Sequence, residues 1–225
     1  MCGRYSLFTD YSILLERFDI AASAADAEDV IPNYNVAPSQ QILAVVNDGA
    51  KNRLGTLKWG LIPPWAKEAK IGYKMINARA ETASEKPSFR NAFKKKRCLI
   101  VADAFYEWRK EGKEKTPMLI KMKSGEPFAF AGLWESWKSE NGETVHSCTI
   151  LTTAPNRLMA SIHDRMPVIL PKEAESIWLD PKVEDVEFLQ GLLQPFDDAA
   201  MEAYEVSAAV NSPKNNYPEL MKKLV

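Results

Sequence analysis

The chain has 225 residues, 46% of them hydrophobic and 26% charged, with a net charge of −1. This composition excludes a disordered chain, and the near-neutral total argues against a wholesale basic nucleic-acid coat. No apolar run reaches signal-peptide or membrane-span length, so a cytoplasmic protein with no membrane partner is expected.

Fourteen prolines and ten glycines are spread along the chain, which points to short elements joined by defined turns. Residues 11–18 place Ile13, Leu14, Leu15 and Phe18 at helical spacing. Residues 30–40, with two prolines, read as a loop. Residues 41–47 and 54–61 read as strands joined by a turn at Asn47-Asp48-Gly49. Residues 62–73 form another proline-containing segment, which carries Trp65, and residues 88–96 read as an amphipathic helix. Apolar runs of strand length follow at 98–101, 105–109, 118–122, 128–134 and 145–153, a pattern that favours antiparallel pairing. Residues 156–162 read as helical and 168–170 as a strand. Helices are expected at 172–179 and 183–193. The expected fold is α+β, a mainly antiparallel β-sheet or barrel core with peripheral helices, in a single domain over residues 1–225. Regular βαβ alternation and a glycine-rich phosphate loop are both missing, which makes a Rossmann or P-loop reading poor.

Charge is unevenly distributed. Between residues 61 and 123, sixteen Lys and Arg stand against seven acids, a net +9; between 171 and 205, two lysines face ten acids, a net −8. Such asymmetry can hide a phosphate-binding face inside a neutral total, or can be solvated surface. Three cysteines, Cys2, Cys98 and Cys148, make an odd set without CxxC spacing, against a disulfide framework or zinc site. Cys98 and Cys148 lie in apolar runs and read as inert core residues. No metal and no organic cofactor is expected, and a monomer suffices.

Cys2 is chemically distinctive. Once Met1 is removed, it presents an α-amine, with a reference pKa of about 7.7–8.0, beside a thiol near 8.5. An aldehyde condenses with the amine to an imine, and the thiol then adds to the same carbon to close a five-membered thiazolidine. The second step is intramolecular and gains the proximity advantage.

The motifs MCGRYSL, NVAPSQ, GLIPPWA, NARAET, FYEW and SIHDRMPVIL, in this order from the start of the chain to about Leu170, resemble the SRAP family (SOS response-associated peptidases, abasic-site processing proteins). The likeness continues weakly through Val210-Asn211-Ser212. It implies a catalytic Cys2 that crosslinks to abasic sites in single-stranded DNA and shields them during the DNA damage response. It also implies autoproteolytic removal of residues before the cysteine.

By the same resemblance, Asn77 senses the abasic sugar and Arg79 binds a nearby phosphate. Glu107 and His163 transfer protons near Cys2, His163 as the sugar ring opens to its aldehyde. Read without the resemblance, Asn77 caps a turn or helix, Glu107 faces solvent between inward Tyr106 and Trp108, and His163 packs in a turn. His146 matches no motif and reads as structural or exposed. Arg4, Arg90, Arg165 and the run Lys94–Arg97 are phosphate candidates. Trp65 is placed to stack on a base or wedge DNA open, or else is a core-edge aromatic. The family's loop often carries a second aromatic after this tryptophan; here Ala66 follows, which leaves a two-ring wedge without its second ring. A β-elimination (lyase) outcome accompanies the imine. The competing readings are a cysteine peptidase acting in trans, with Cys2 as nucleophile and His163 as base, and a non-covalent single-stranded DNA-binding module.

Overall fold

The structure, a computed structural model, describes residues 2–24 and 30–224. Its strands are β1 (Tyr5–Leu7), β2 (Ile20–Ser23), β3 (Asn33–Val36), β4 (Gln41–Asn47), β5 (Asn52–Trp59), β6 (Asn77–Arg79), β7 (Arg97–Ala102), β8 (Ala104–Glu111), β9 (Glu114–Met122), β10 (Phe128–Lys138), β11 (Thr144–Thr153), β12 (Met166–Pro167) and β13 (Met201–Glu205). The helices are α1 (Tyr11–Arg17), α2 (Ala80–Ala83), α3 (Arg90–Lys95), α4 (Arg157–Ala160), α5 (Lys172–Leu179) and α6 (Val186–Gly191). The fold is α+β, as the sequence predicts.

The larger sheet runs β12-β11-β10-β7-β4-β5-β2, and β5 also pairs in parallel with β11, which closes β11-β10-β7-β4-β5 into a ring. A closed ring hides both faces of its central strands, and all six residues of β7 are accordingly buried. Gly132 of β10 is required at the tightest point. A Cβ there would lie 2.8 Å from Cys98 Sγ and 2.9 Å from Ile100 Cδ1. The smaller sheet runs β13-β9-β8-β1-β3. Tyr5 joins the two sheets, its ring 5.5 Å from Trp59 of the ring and 5.9 Å from Phe130.

Several expectations are corrected. The predicted loop at 30–40 contains β3, because β1 offers it an antiparallel partner. The predicted strand at 168–170 contributes only an Ile169–Phe130 bridge, while β12 forms just before it. The short strands β1, β2, β6 and β13 carry too few residues to show alternation. Pairing is mainly antiparallel, as expected, with β2–β5, β5–β11 and β6–β11 parallel. Elsewhere the match is close: α5 spans the predicted residues, and α4 starts where Asn156 caps it by accepting from Met159 N–H at 2.9 Å.

The charge asymmetry is partly consumed inside the fold. Lys95 pairs with Glu184, Lys121 with Glu202 and Arg109 with Glu205, each joining the basic stretch to the acidic one. Arg97, read from sequence as part of a phosphate-binding run, is only 3% exposed. Its guanidinium donates to the carbonyls of Phe93, Lys94, Trp178, Asp180 and Val183, which ties α3 to the end of α5. A buried guanidinium so fully used is a structural pin and cannot meet a phosphate. Lys96 is likewise engaged, 2.7 Å from the buried Glu135 carboxylate.

Candidate active site

The site begins with how β1 is held. Asp103 accepts hydrogen bonds from the backbone N–H of Phe8 (2.6 Å) and Thr9 (2.8 Å), pinning the far end of β1. Along β1, Tyr5 pairs with Phe105 of β8, and Tyr106 N–H donates to Arg4 C=O at 2.9 Å. Just before β1, the Cys2 thiol comes close enough to Glu107 of β8 to feel its charge. Both are buried, Cys2 completely and Glu107 to 3% exposure. Glu107 therefore does not face solvent: β8 is covered on both faces, with Tyr106 also fully buried.

Burial pushes the Cys2 thiol well above the ordinary thiol range, and the neighbouring Glu107 carboxylate pushes it further the same way. A hydrogen bond from the Arg4 backbone N–H pulls it partly back. The resting group is thus a neutral thiol with the Glu107 side chain beside it. Met1, whose removal frees the Cys2 amine, lies outside the described residues.

Glu107 and His163 line one open cleft of about 390 Å³, together with Trp108, Lys110, Lys115 and Asn211. His163 follows α4, its backbone N–H donating to Met159 C=O at 2.8 Å. Its Nδ1 accepts from Arg165 N–H at 3.0 Å and lies 2.9 Å from Asp164 Oδ1. Side-chain exposure of 21% leaves the imidazole reachable from the cleft.

Asn77 arrives by another route. It sits in β6 opposite Ile150 of β11, so it is a strand residue and not a cap. Its Nδ2 donates to Ile150 C=O at 3.4 Å, while its buried Oδ1 has no hydrogen-bond partner among the described residues. An unmet buried acceptor is costly in a resting fold and suits a hydroxyl-bearing ligand. Trp59 connects this strand to the Cys2 side: its Nε1 donates to Ile76 C=O at 2.9 Å while its ring packs on Tyr5.

A family model described as SOS response associated peptidase (SRAP) matches residues 1–213. The chain belongs to this family. It is 59% identical over 223 residues to the abasic site processing protein YoqW of Bacillus subtilis, covering 99% of both chains. It is 32% identical to the abasic site processing protein HMCES of Xenopus tropicalis, covering 89% of this chain and 68% of that one. The crystal structure of a Bacteroides thetaiotaomicron protein superposes with a TM-score of 0.89 at 30% identity, covering all of both chains.

The remaining residues expected of this SRAP chain divide by how they are held. Arg79 and Arg90 are exposed, on β6 and at the first turn of α3, with no ion pair among the described residues. Arg165 gives its guanidinium fork to Glu81 at 2.6 and 2.9 Å, and this holds the Glu81 carboxyl below the usual carboxylate range. Arg4 is half-buried and donates to Asn35 Oδ1 and Val210 C=O, both at 2.8 Å. Both Arg4 and Arg165 therefore stiffen the walls of the site. Trp65 is 59% exposed and stands in a different cavity. Cys98 and Cys148 are fully buried core residues.

Lys110 and Lys115 escaped the sequence reading. Lys110 and Lys115 are direct cross-strand partners in the β8–β9 hairpin. Like charges so opposed are unfavourable without an anion nearby. The residues of the hairpin were visible in the sequence, but the register that pairs the lysines and turns them to the cleft was not. Asn211 accepts from Trp108 Nε1 at 2.8 Å, which explains why the Val210-Asn211-Ser212 likeness belongs to the site.

Proposed function

We propose that this protein captures abasic sites in single-stranded DNA covalently through Cys2, after loss of Met1. The observation that carries this reading is the buried Cys2 thiol beside Glu107, which with His163 lines a cleft whose rim holds an opposed lysine pair. The relatives named as abasic site processing proteins support the substrate class.

In this mechanism His163 gives a proton to the ring oxygen of the abasic sugar as it opens to its aldehyde. The Cys2 amine attacks that carbon and water leaves, giving an imine. The neutral Cys2 thiol then adds across the C=N bond. Its sulfur bonds to carbon, and Glu107 relays the thiol proton to the imine nitrogen as the C=N bond becomes single. The buried Asn77 acceptor orients the sugar through a hydroxyl, and Lys110 and Lys115 meet flanking phosphates. The imine can also lose the phosphate on the 3′ side by β-elimination, so Glu107 and His163 decide between ring closure and strand scission. Autoproteolytic release of Met1 is part of the same reading, the cleaved bond lying directly before the nucleophile.

Intact-protein mass spectrometry tests this. Protein lacking Met1, incubated with an abasic single-stranded oligonucleotide, gains the oligonucleotide mass less one water. Cys2→Ala gains nothing, and a variant with an extra residue retained before Cys2 forms no thiazolidine because its amine is an amide. A Cys2→Ala protein that crosslinks normally would overturn the proposal. Gel analysis of the same mixtures reads the lyase branch: no scission by wild type or Cys2→Ser removes it.

A further inference from the structure

The far end of the chain reaches back to the cleft. After β13, residues 206–221 run over β8 and β9 as a strap, with Val206, Val210 and Leu220 buried against Tyr106 and Leu119. Within the strap, the 3-10 turn Ala208–Asn211 delivers Asn211 to the cleft wall, where it meets Trp108. Apolar burial holds the strap down but does not set its place along the sheet, because the hydrophobic effect has no direction. Directional polar contacts set it.

Those contacts converge on Asn35 of β3, which is 1% exposed. Its Nδ2 donates to the carbonyls of Ser212 (2.9 Å) and Asn215 (2.8 Å) and lies 3.3 Å from that of Val210. Its Oδ1 accepts from Arg4 Nη1, which also donates to Val210 C=O, both at 2.8 Å. One amide therefore joins the strap to the residue whose backbone N–H holds the Cys2 thiol. The circuit closes on the other side. The Arg4 guanidinium lies 6.0 Å from the centre of the Trp108 ring, and Trp108 directly follows Glu107. Asn35 does not line the cleft, so it acts there only through these partners.

We infer that Asn35 is a positioning residue for the reaction at Cys2: by tying the C-terminal strap to Arg4, it fixes where the Cys2 thiol and Asn211 stand relative to Glu107. The side chain has to be an amide, since it accepts from a guanidinium and donates to carbonyls at once. Aspartate has the same shape and still accepts from Arg4. It cannot donate, so two strap carbonyls would be left facing a carboxylate. The inference rests on the covalent reading above, but amide exchange in the free protein tests it without DNA.

The test compares Asn35→Asp with Tyr204→Phe. Tyr204 Oη donates to Met221 C=O at 3.1 Å, so Tyr204→Phe loosens the strap at its other end, away from the cleft. With an abasic single strand, Asn35→Asp lowers the saturating crosslinking rate about tenfold, the scale for a reacting group displaced by a fraction of an ångström. The strand concentration giving half the maximal rate stays within about twofold. Tyr204→Phe keeps both values. Without DNA, the amides of residues 2–7 exchange hydrogen faster in Asn35→Asp than in wild type or Tyr204→Phe. If Asn35→Asp does not fold, Trp108→Phe, which removes the indole donor to Asn211, takes its place and slows the saturating rate about threefold. Asn35→Asp, or its substitute, reacting at the wild-type rate would overturn the inference. Equal slowing by Tyr204→Phe would do so too, because the strap would then act through stability alone. If wild type forms no adduct while residues 2–7 still loosen in Asn35→Asp, the covalent proposal falls and the positioning stands. If adducts form equally fast in both, the reverse is true.

Discussion

The cleft at Glu107 and the cavity at Trp65 are built on opposite principles. At the cleft, Glu107 is buried beside the fully buried Cys2 thiol, where β1 pairs with β8. In the cavity the lining groups are exposed rings and lysines, and only the backbone beneath them is fixed. Burial raises the Cys2 thiol above the ordinary thiol range. Stacking needs open ring faces, and charge attraction needs only solvent-facing lysines. On the proposed function, the difference separates bond-making groups from contact groups.

Substitutions can break or sharpen this separation. The largest effect is expected in the cleft. Glu107→Gln and His163→Ala should slow adduct formation about a hundredfold or more while leaving affinity for intact single strands within about twofold, as loss of a proton-transfer group does. Quench-flow crosslinking beside equilibrium binding checks this, and an equal loss in both assays would merge the two regions. An intermediate effect is expected at the cleft rim. Replacing both Lys110 and Lys115 by Ala should lower affinity and reduce the slope of log K against log salt by about 1.4, the value for two single-strand phosphate contacts. An unchanged slope would remove these lysines from the DNA path.

A separate effect concerns stability. Burial raises the thiols of Cys2, Cys98 and Cys148 above the ordinary value. The unfolded chain releases these protons above a pH of about 8.5 and the folded chain keeps them, so stability falls as pH rises past that point. The limit is about 1.4 kcal/mol per pH unit for each thiol. Melting temperature should therefore drop between pH 8.5 and 10, and Cys98→Ala should make that drop shallower. Trp65→Ala, on the exposed cavity, should leave the slope as it is.

Much of the fold was legible along the chain. Long strands such as β4, β10 and β11 announce themselves by apolar runs, and Asn156 marks the start of α4 by its capping chemistry. The three-residue strands β1 and β6 gave no such signal, although they carry Cys2's approach and Asn77. Such strands are stable only because partners distant in sequence complete their hydrogen bonds. The same holds for charge. The run Lys94–Arg97 looks uniform on paper, yet Arg97 is sealed under five carbonyls while Arg90, nearby, remains in water.

By itself the sequence determined the chemistry on offer: a cysteine at position two, the motifs that go with it, and an α+β pattern. The tertiary structure decided which of those groups meet. It buried Glu107 beside Cys2, opposed Lys110 to Lys115, turned Ala66 inward and brought Tyr73 to Trp65's cavity. Each of these depends on strand register or backbone contact between distant segments, and local residue preferences do not encode a pairing whose partner lies elsewhere in the chain.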